Sequence, residues 1–109
     1  MNVKEFVEKD IFKVVHLGSN PQQSIREVFC CDLLSIAMGR APADSVWVTV
    51  MSNINTLAVA SLTDVACIVF AEGSTLDEST LQKAKVQGIT IFYTDLPIFE
   101  AALAVHQLL

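Results

Sequence analysis

The chain predicts an α/β fold, a single open and mostly parallel sheet with crossover helices, and three observations carry that expectation. The stretch VWVTVMSNINTLAVASLTDVACIVF, residues 46–70, changes its hydrophobic period twice, from a strand over 47–50 to an alanine-rich helix over 53–62 and back to a strand over 66–70. That is one βαβ unit. Further strand and helix alternations follow it toward the C-terminus. The 109 residues form one expected domain, 1–109, with no internal repeat, linker or low-complexity segment.

Taken in order, Asn2 can cap a first helix over 3–9, whose Val3, Phe6 and Val7 make an apolar edge at helical spacing. IFKVVHL, 11–17, reads as a strand closed by the turn cluster Gly18-Ser19-Asn20-Pro21. A second extended run covers 25–30. Asp32 is placed to cap a short apolar helix over 33–38, with Gly39 as its stop and a loop over 40–45. Beyond the βαβ unit, Thr75 and Glu78 fit a capping box for a helix over 76–87, and Gly88 fits its C-terminal stop. Residues 89–93 make the next strand. Asp95 and Pro97 open a final helix whose Leu96, Phe99, Leu103 and His106 fall on one expected apolar face.

Composition narrows the function classes. Hydrophobic residues make up 52% of the chain and charged ones only 17%, more apolar than an average soluble domain, so leftover apolar surface and a homodimer are expected. The helix over 53–62 is apolar or small nearly all round, which suggests burial on two sides, one of them a subunit interface. No apolar run reaches the roughly 18 residues that span a bilayer, because Ser52, Asn53, Asn55 and Asp64 interrupt the longest candidate. The N-terminal stretch has neither a signal core nor a cleavage site, and three cysteines, two of them adjacent, do not make a disulfide framework. A soluble protein of the cytoplasm is expected. With 7 basic against 12 acidic residues and no clustered cations, nucleic acid is a poor partner.

Several pieces together resemble a known family. They are Asp32-Leu33-Leu34-Ser35 with Met38, then Val46-Trp47-Val48-Thr49-Val50, Asn55 followed by Ala58-Val59-Ala60 and Leu62, Ile68-Val69, Lys83-Ala84, Gly88-Ile89 and Phe99-Glu100. In order and spacing the chain resembles the DRTGG domain, a small α/β module similar to the N-terminal domain of HPr kinase/phosphorylase. The resemblance implies a bacterial regulatory or accessory module, commonly dimeric, found alone or attached to enzymes. Stand-alone members look like companions of iron-only hydrogenases and signalling ATPases in anaerobic bacteria. It implies no catalytic role for the module itself.

Phosphotransfer needs a glycine-rich loop leading into a lysine, and Gly18, Gly39, Gly73 and Gly88 are far apart with none preceding a Lys. Ser52, Asn53 and Asn55 fall at a helix N-terminus, where free N–H groups and the helix dipole favour an anion, with Thr49 beside them at the strand end. The simpler reading is that Ser52 or Asn53 only caps the helix. Glu72 and Ser74 end the next strand, and Thr94 and Asp95 the one after, so all three loops can line one crevice outside the strand ends. A small anionic ligand there, a nucleotide among the options, is one expectation; a pure protein-interaction subunit is the other.

The remaining candidates read as structure. Cys30 and Cys31 point to opposite faces of a strand, so neither they nor Cys67 make a metal or iron–sulfur site, and no cofactor is expected. A thiol enzyme using Cys31 or Cys67 is the least favoured alternative. His16 and His106 read as structural histidines, and Trp47, between two valines, as core or dimer contact. Nothing pairs Cys31 or Ser35 with a base, and Asp32 and Asp64 are lone acids.

Overall fold

A computed structural model describes all residues, 1–109. Ten elements follow the chain: α1 (Val3–Glu8), β1 (Lys13–His16), β2 (Glu27–Cys30), α2 (Leu34–Arg40), β3 (Ser45–Thr49), α3 (Ile54–Thr63), β4 (Cys67–Phe70), α4 (Glu78–Gln87), β5 (Ile91–Tyr93) and α5 (Ile98–His106). The fold is α/β with one five-stranded sheet in the order β1-β5-β4-β3-β2. Strands β2 to β5 run parallel, each beside its predecessor, while β1 joins the far edge antiparallel to β5.

That order places the helices. Consecutive crossovers of one hand that always step the same way lay their helices on one face. Ala37 of α2, Leu57 and Ala60 of α3 and Ala84 of α4 accordingly share one core with Trp47, Ile68, Phe70 and Ile91. The opposite face is covered by α1 and α5: Val3, Phe6, Ala101 and Val105 pack with Val46, Val48, Cys67, Val69 and Phe92. Strand alternation divides the two cores, Val46 and Val48 facing one way and Trp47 the other. Buried on both faces, β3 and β4 lose the apolar–polar alternation of a one-sided sheet and read as continuous hydrophobic runs. Phe6, Phe12 and Phe92 meet edge to face at 5.0–6.5 Å between ring centroids and fix α1 to the sheet.

Local signals set most helix ends. Asn2 caps α1 through a full capping box with Glu5, and Gly88 ends α4 in the left-handed conformation, φ 72°. Three expectations need correction. Asp32 does not cap α2: Leu33 takes that position with no side-chain bond, Gly39 lies inside the helix, and the Asp32 carboxylate turns to the end of β3 instead. Asp77, not Thr75, caps α4 by accepting from the Thr80 amide, and those Thr80 bonds hold its carboxyl below the usual carboxylate range. Asp accepts the same bond as Thr, and the extra two residues of loop let Leu76 bury while its amide donates to the Tyr93 hydroxyl at 2.8 Å.

The third correction concerns α5. It buries Ala101 and Val105, leaving Leu96, Phe99, Leu103 and His106 outward, with Phe99 68% exposed. Against the sheet, the small Ala101 and Val105 allow close approach and the larger side chains are displaced to the rim. No helix is long and apolar enough to cross a membrane.

The turn after β1 is sewn to the end of α4. Gly18 N–H donates to Thr90 Oγ1 at 2.9 Å and Ser19 N–H to the Gly88 carbonyl at 3.0 Å. His16 Nδ1 lies 2.9 Å from the Ile89 carbonyl oxygen, so this histidine is the hydrogen-bonded structural one expected. A Cβ on Gly18 would stand 2.0 Å from the Gly88 carbonyl oxygen, whereas one on Gly39 would meet nothing within 4 Å. Gly18→Ala should therefore lower the unfolding free energy by roughly 2 kcal/mol, while Gly39→Ala should raise it by up to about 1 kcal/mol. Urea denaturation of the two variants checks this, and equal effects of one sign would contradict the seam.

Candidate functional site

Because β3, β4 and β5 are parallel and adjacent, the segments that leave them, 50–53, 71–77 and 94–97, emerge along one edge of the sheet. The eight residues singled out in the sequence, Thr49, Ser52, Asn53, Asn55, Glu72, Ser74, Thr94 and Asp95, therefore share this carboxyl edge.

Their hydrogen bonds separate them into two groups. Thr49, fully buried, donates its hydroxyl to Asp32 Oδ1 at 2.7 Å, and the same carboxylate oxygen accepts the Val50 amide at 2.9 Å. Asn53 Oδ1 accepts from the Asn55 and Thr56 amides at 2.9 and 3.3 Å, which is the simple helix cap. Ser74 Oγ donates to the Val50 carbonyl at 2.9 Å, tying the loop after β4 to the loop after β3. Thr94 Oγ1 accepts from Leu96 N at 3.2 Å. The other four, Ser52, Asn55, Glu72 and Asp95, have side chains with no partner in the chain, and all but Ser52 are exposed.

The loops also brace one another through their backbones. Glu72 N–H donates to the Leu96 carbonyl and Gly73 N–H to the Thr94 carbonyl, at 2.9 and 3.1 Å. Glu72 and Gly73 both adopt left-handed conformations, φ 56° and 75°, and the Cβ of a non-glycine residue there costs about 1 kcal/mol. Beside them is a hollow of about 280 Å³ lined by Gly73, Ser74, Thr75, Tyr93, Thr94, Asp95 and Lys13. Lys13 belongs to β1 and reaches this edge only because β1 is antiparallel to β5, with Lys13 opposite Tyr93. Lys13, Asp32 and Tyr93 are the rim residues that sequence reasoning missed. Asp32 carried a signal, a lone acid just past a strand end, but it fits a helix cap equally well.

The electrostatics of this edge are acidic. Asp32, Glu72, Asp77 and Asp95 stand against Lys13 and, beside Asp77, Lys83, and the caps Asn53 and Asp77 already hold the Asn55, Thr56 and Thr80 amides. Both factors work against a highly charged anion.

The thiols are poorly placed for nucleophilic work. Burial, and then the nearby Asp32 carboxylate, pushes the Cys30 thiol up, and complete burial pushes Cys67 up much further. Cys31 donates to the Leu33 carbonyl at 3.3 Å. Trp47 is fully buried, its indole N–H donating to the Cys31 carbonyl at 3.0 Å, so it belongs to the core. No three His, Cys, Asp or Glu side chains converge in a way that could hold a metal ion.

Comparison with protein-family models gives no match, and comparison with curated proteins gives none.

Glu72→Gly relieves the left-handed backbone without touching the two amide bonds, and should raise unfolding free energy by roughly 0.5 to 1 kcal/mol. A measured loss of stability in thermal denaturation would show that the Glu72 carboxylate holds an internal contact.

Proposed function

We propose that this protein is a non-enzymatic regulatory or accessory module that acts through protein contacts, a second copy of itself included, in the manner the DRTGG resemblance implies. The observation that carries the reading is apolar surface left outside both cores. On α3, Leu57, Val59 and Ala60 are buried while Ile54, Ala58 and Leu62, spaced by four, line the outward side, with Leu62 72% exposed. On α2, Ile36 and Met38 are exposed as well. A chain with only 17% charged residues has few groups to keep such surface solvated. The outward side of α3 is the proposed subunit interface.

The second reading is a small anionic ligand at the carboxyl edge, favoured by one observation: Lys13 lines the hollow of about 280 Å³ together with Thr75. The acidic neighbours limit it to a ligand of low charge. Either reading fits work beside hydrogenase or other energy-metabolism enzymes.

Sedimentation velocity at micromolar concentration tests the leading reading. A dimer is expected, with Leu62→Glu weakening it by roughly tenfold or more and leaving the circular dichroism unchanged. A wild-type monomer at that concentration would contradict the self-association. A Tm raised by inorganic phosphate or a nucleotide, and lost in Lys13→Glu, would move the conclusion to the ligand reading.

A further inference from the structure

The edge of the sheet opposite the polar loops holds a second hollow, of about 250 Å³, lying between the C-terminal ends of α3 and α4 and the loop that follows β1. Its polar walls are Ser19, Asn20, Gln23, Ser61, Asp64, Gln87 and Thr90. We propose that it binds a small organic cation through a primary ammonium group.

The inference rests on an account of donors and acceptors. Four N–H groups beside the hollow are spent: Gly18 on Thr90 Oγ1, Ser19 on the Gly88 carbonyl, Gly88 on the Lys85 carbonyl and Ile89 on the Ala84 carbonyl. Gln23 uses both hydrogens of its amide nitrogen, toward Asp44 Oδ1 at 3.1 Å and the Asp64 carbonyl at 2.9 Å. That fixes the orientation of the amide and leaves its Oε1 free to accept. The Asp64 carboxylate has no partner in the chain: the one ion pair joins Arg26 to Asp44 at 3.5 Å and does not include it. The groups of fixed orientation left around the hollow are acceptors, Gln23 Oε1 and the Asp64 carboxylate, while the serine hydroxyls and the Asn20 and Gln87 amides can turn either way.

The charge agrees. α3 and α4, each 10 residues long, direct their carbonyl ends here, each equivalent to roughly half a negative charge. Asp64 adds a full one, and no Lys or Arg lines the hollow. An anion would meet the repulsion of Asp64 and the helix carbonyl ends, and a neutral ligand would gain nothing from that charge. A primary ammonium brings one positive charge and three donors, which suits this set. The volume admits a molecule of roughly ten heavy atoms or fewer.

The test is a titration of ¹⁵N-labelled protein with 1,4-diaminobutane at low ionic strength, followed by two-dimensional amide NMR, with 1,4-butanediol as the uncharged control of the same length. The expected result is a saturable shift of the Ser61, Asp64, Gly88 and Thr90 amides with the diamine and none with the diol. Asp64→Asn and Asp64→Gly both tolerate the left-handed φ of 60° at this residue, and each should weaken binding by roughly tenfold. Absence of a saturable shift at these amides overturns the proposal. So does an equal response to the diol, shifts scattered over acidic residues elsewhere, or undiminished binding by both variants.

Discussion

One-directional winding of the four parallel strands is the constraint on which the rest of the structure depends. Each crossover from β2 through β5 returns beside the strand it left and steps the same way, so α2, α3 and α4 must share a face. A sheet so covered on one side has a second apolar face to bury, and α1 and α5, outside the crossover series, bury it. The same winding removes the reversal of strand order at which doubly wound sheets open a deep crevice. The polar loops after β3, β4 and β5 consequently line up as a shallow rim braced by mutual hydrogen bonds.

Winding also makes the two edges of the sheet chemically unlike. Every crossover helix starts at the carboxyl edge and ends at the amino edge. At the carboxyl edge, side-chain caps from Asn53 and Asp77 bond the helix starts, and carboxylates outnumber the lysines beside them. At the amino edge the carbonyl ends of α3 and α4 meet Asp64 in a hollow without cations. Both edges are stitched by hydrogen bonds between loops and both are acidic, but only the amino edge has a hollow with no cation in its lining.

The parallel core was legible because buried parallel strands leave an unmistakable pattern: VWVTV and ACIVF carry apolar residues on both faces, and Gly88 and Asn2 are helix punctuation of little ambiguity. The placement of the eight rim residues followed from that pattern alone. What escaped was whatever depended on a distant partner. Asp32 looks like a cap from its neighbours, yet its acceptors' reward lies at Thr49 and Val50, seventeen and eighteen residues on. Thr75 and Asp77 are equivalent caps locally, and burial of Leu76 against the sheet decides between them. For α5, helical spacing identified a stripe of large apolar residues, but the sheet took the small side, Ala101 and Val105. The direction of β1, and with it the position of Lys13, has no local signal at all.

The most direct measurement of this arrangement is the set of cross-strand nuclear Overhauser effects among backbone protons of the sheet. Contacts should link Phe29 with Trp47, Trp47 with Ile68 and Ile68 with Ile91 in parallel fashion, and Val14 with Phe92 in antiparallel fashion. Contacts placing β1 between two parallel strands, or β2 beside β4, would contradict the one-directional winding and dissolve both edges described above.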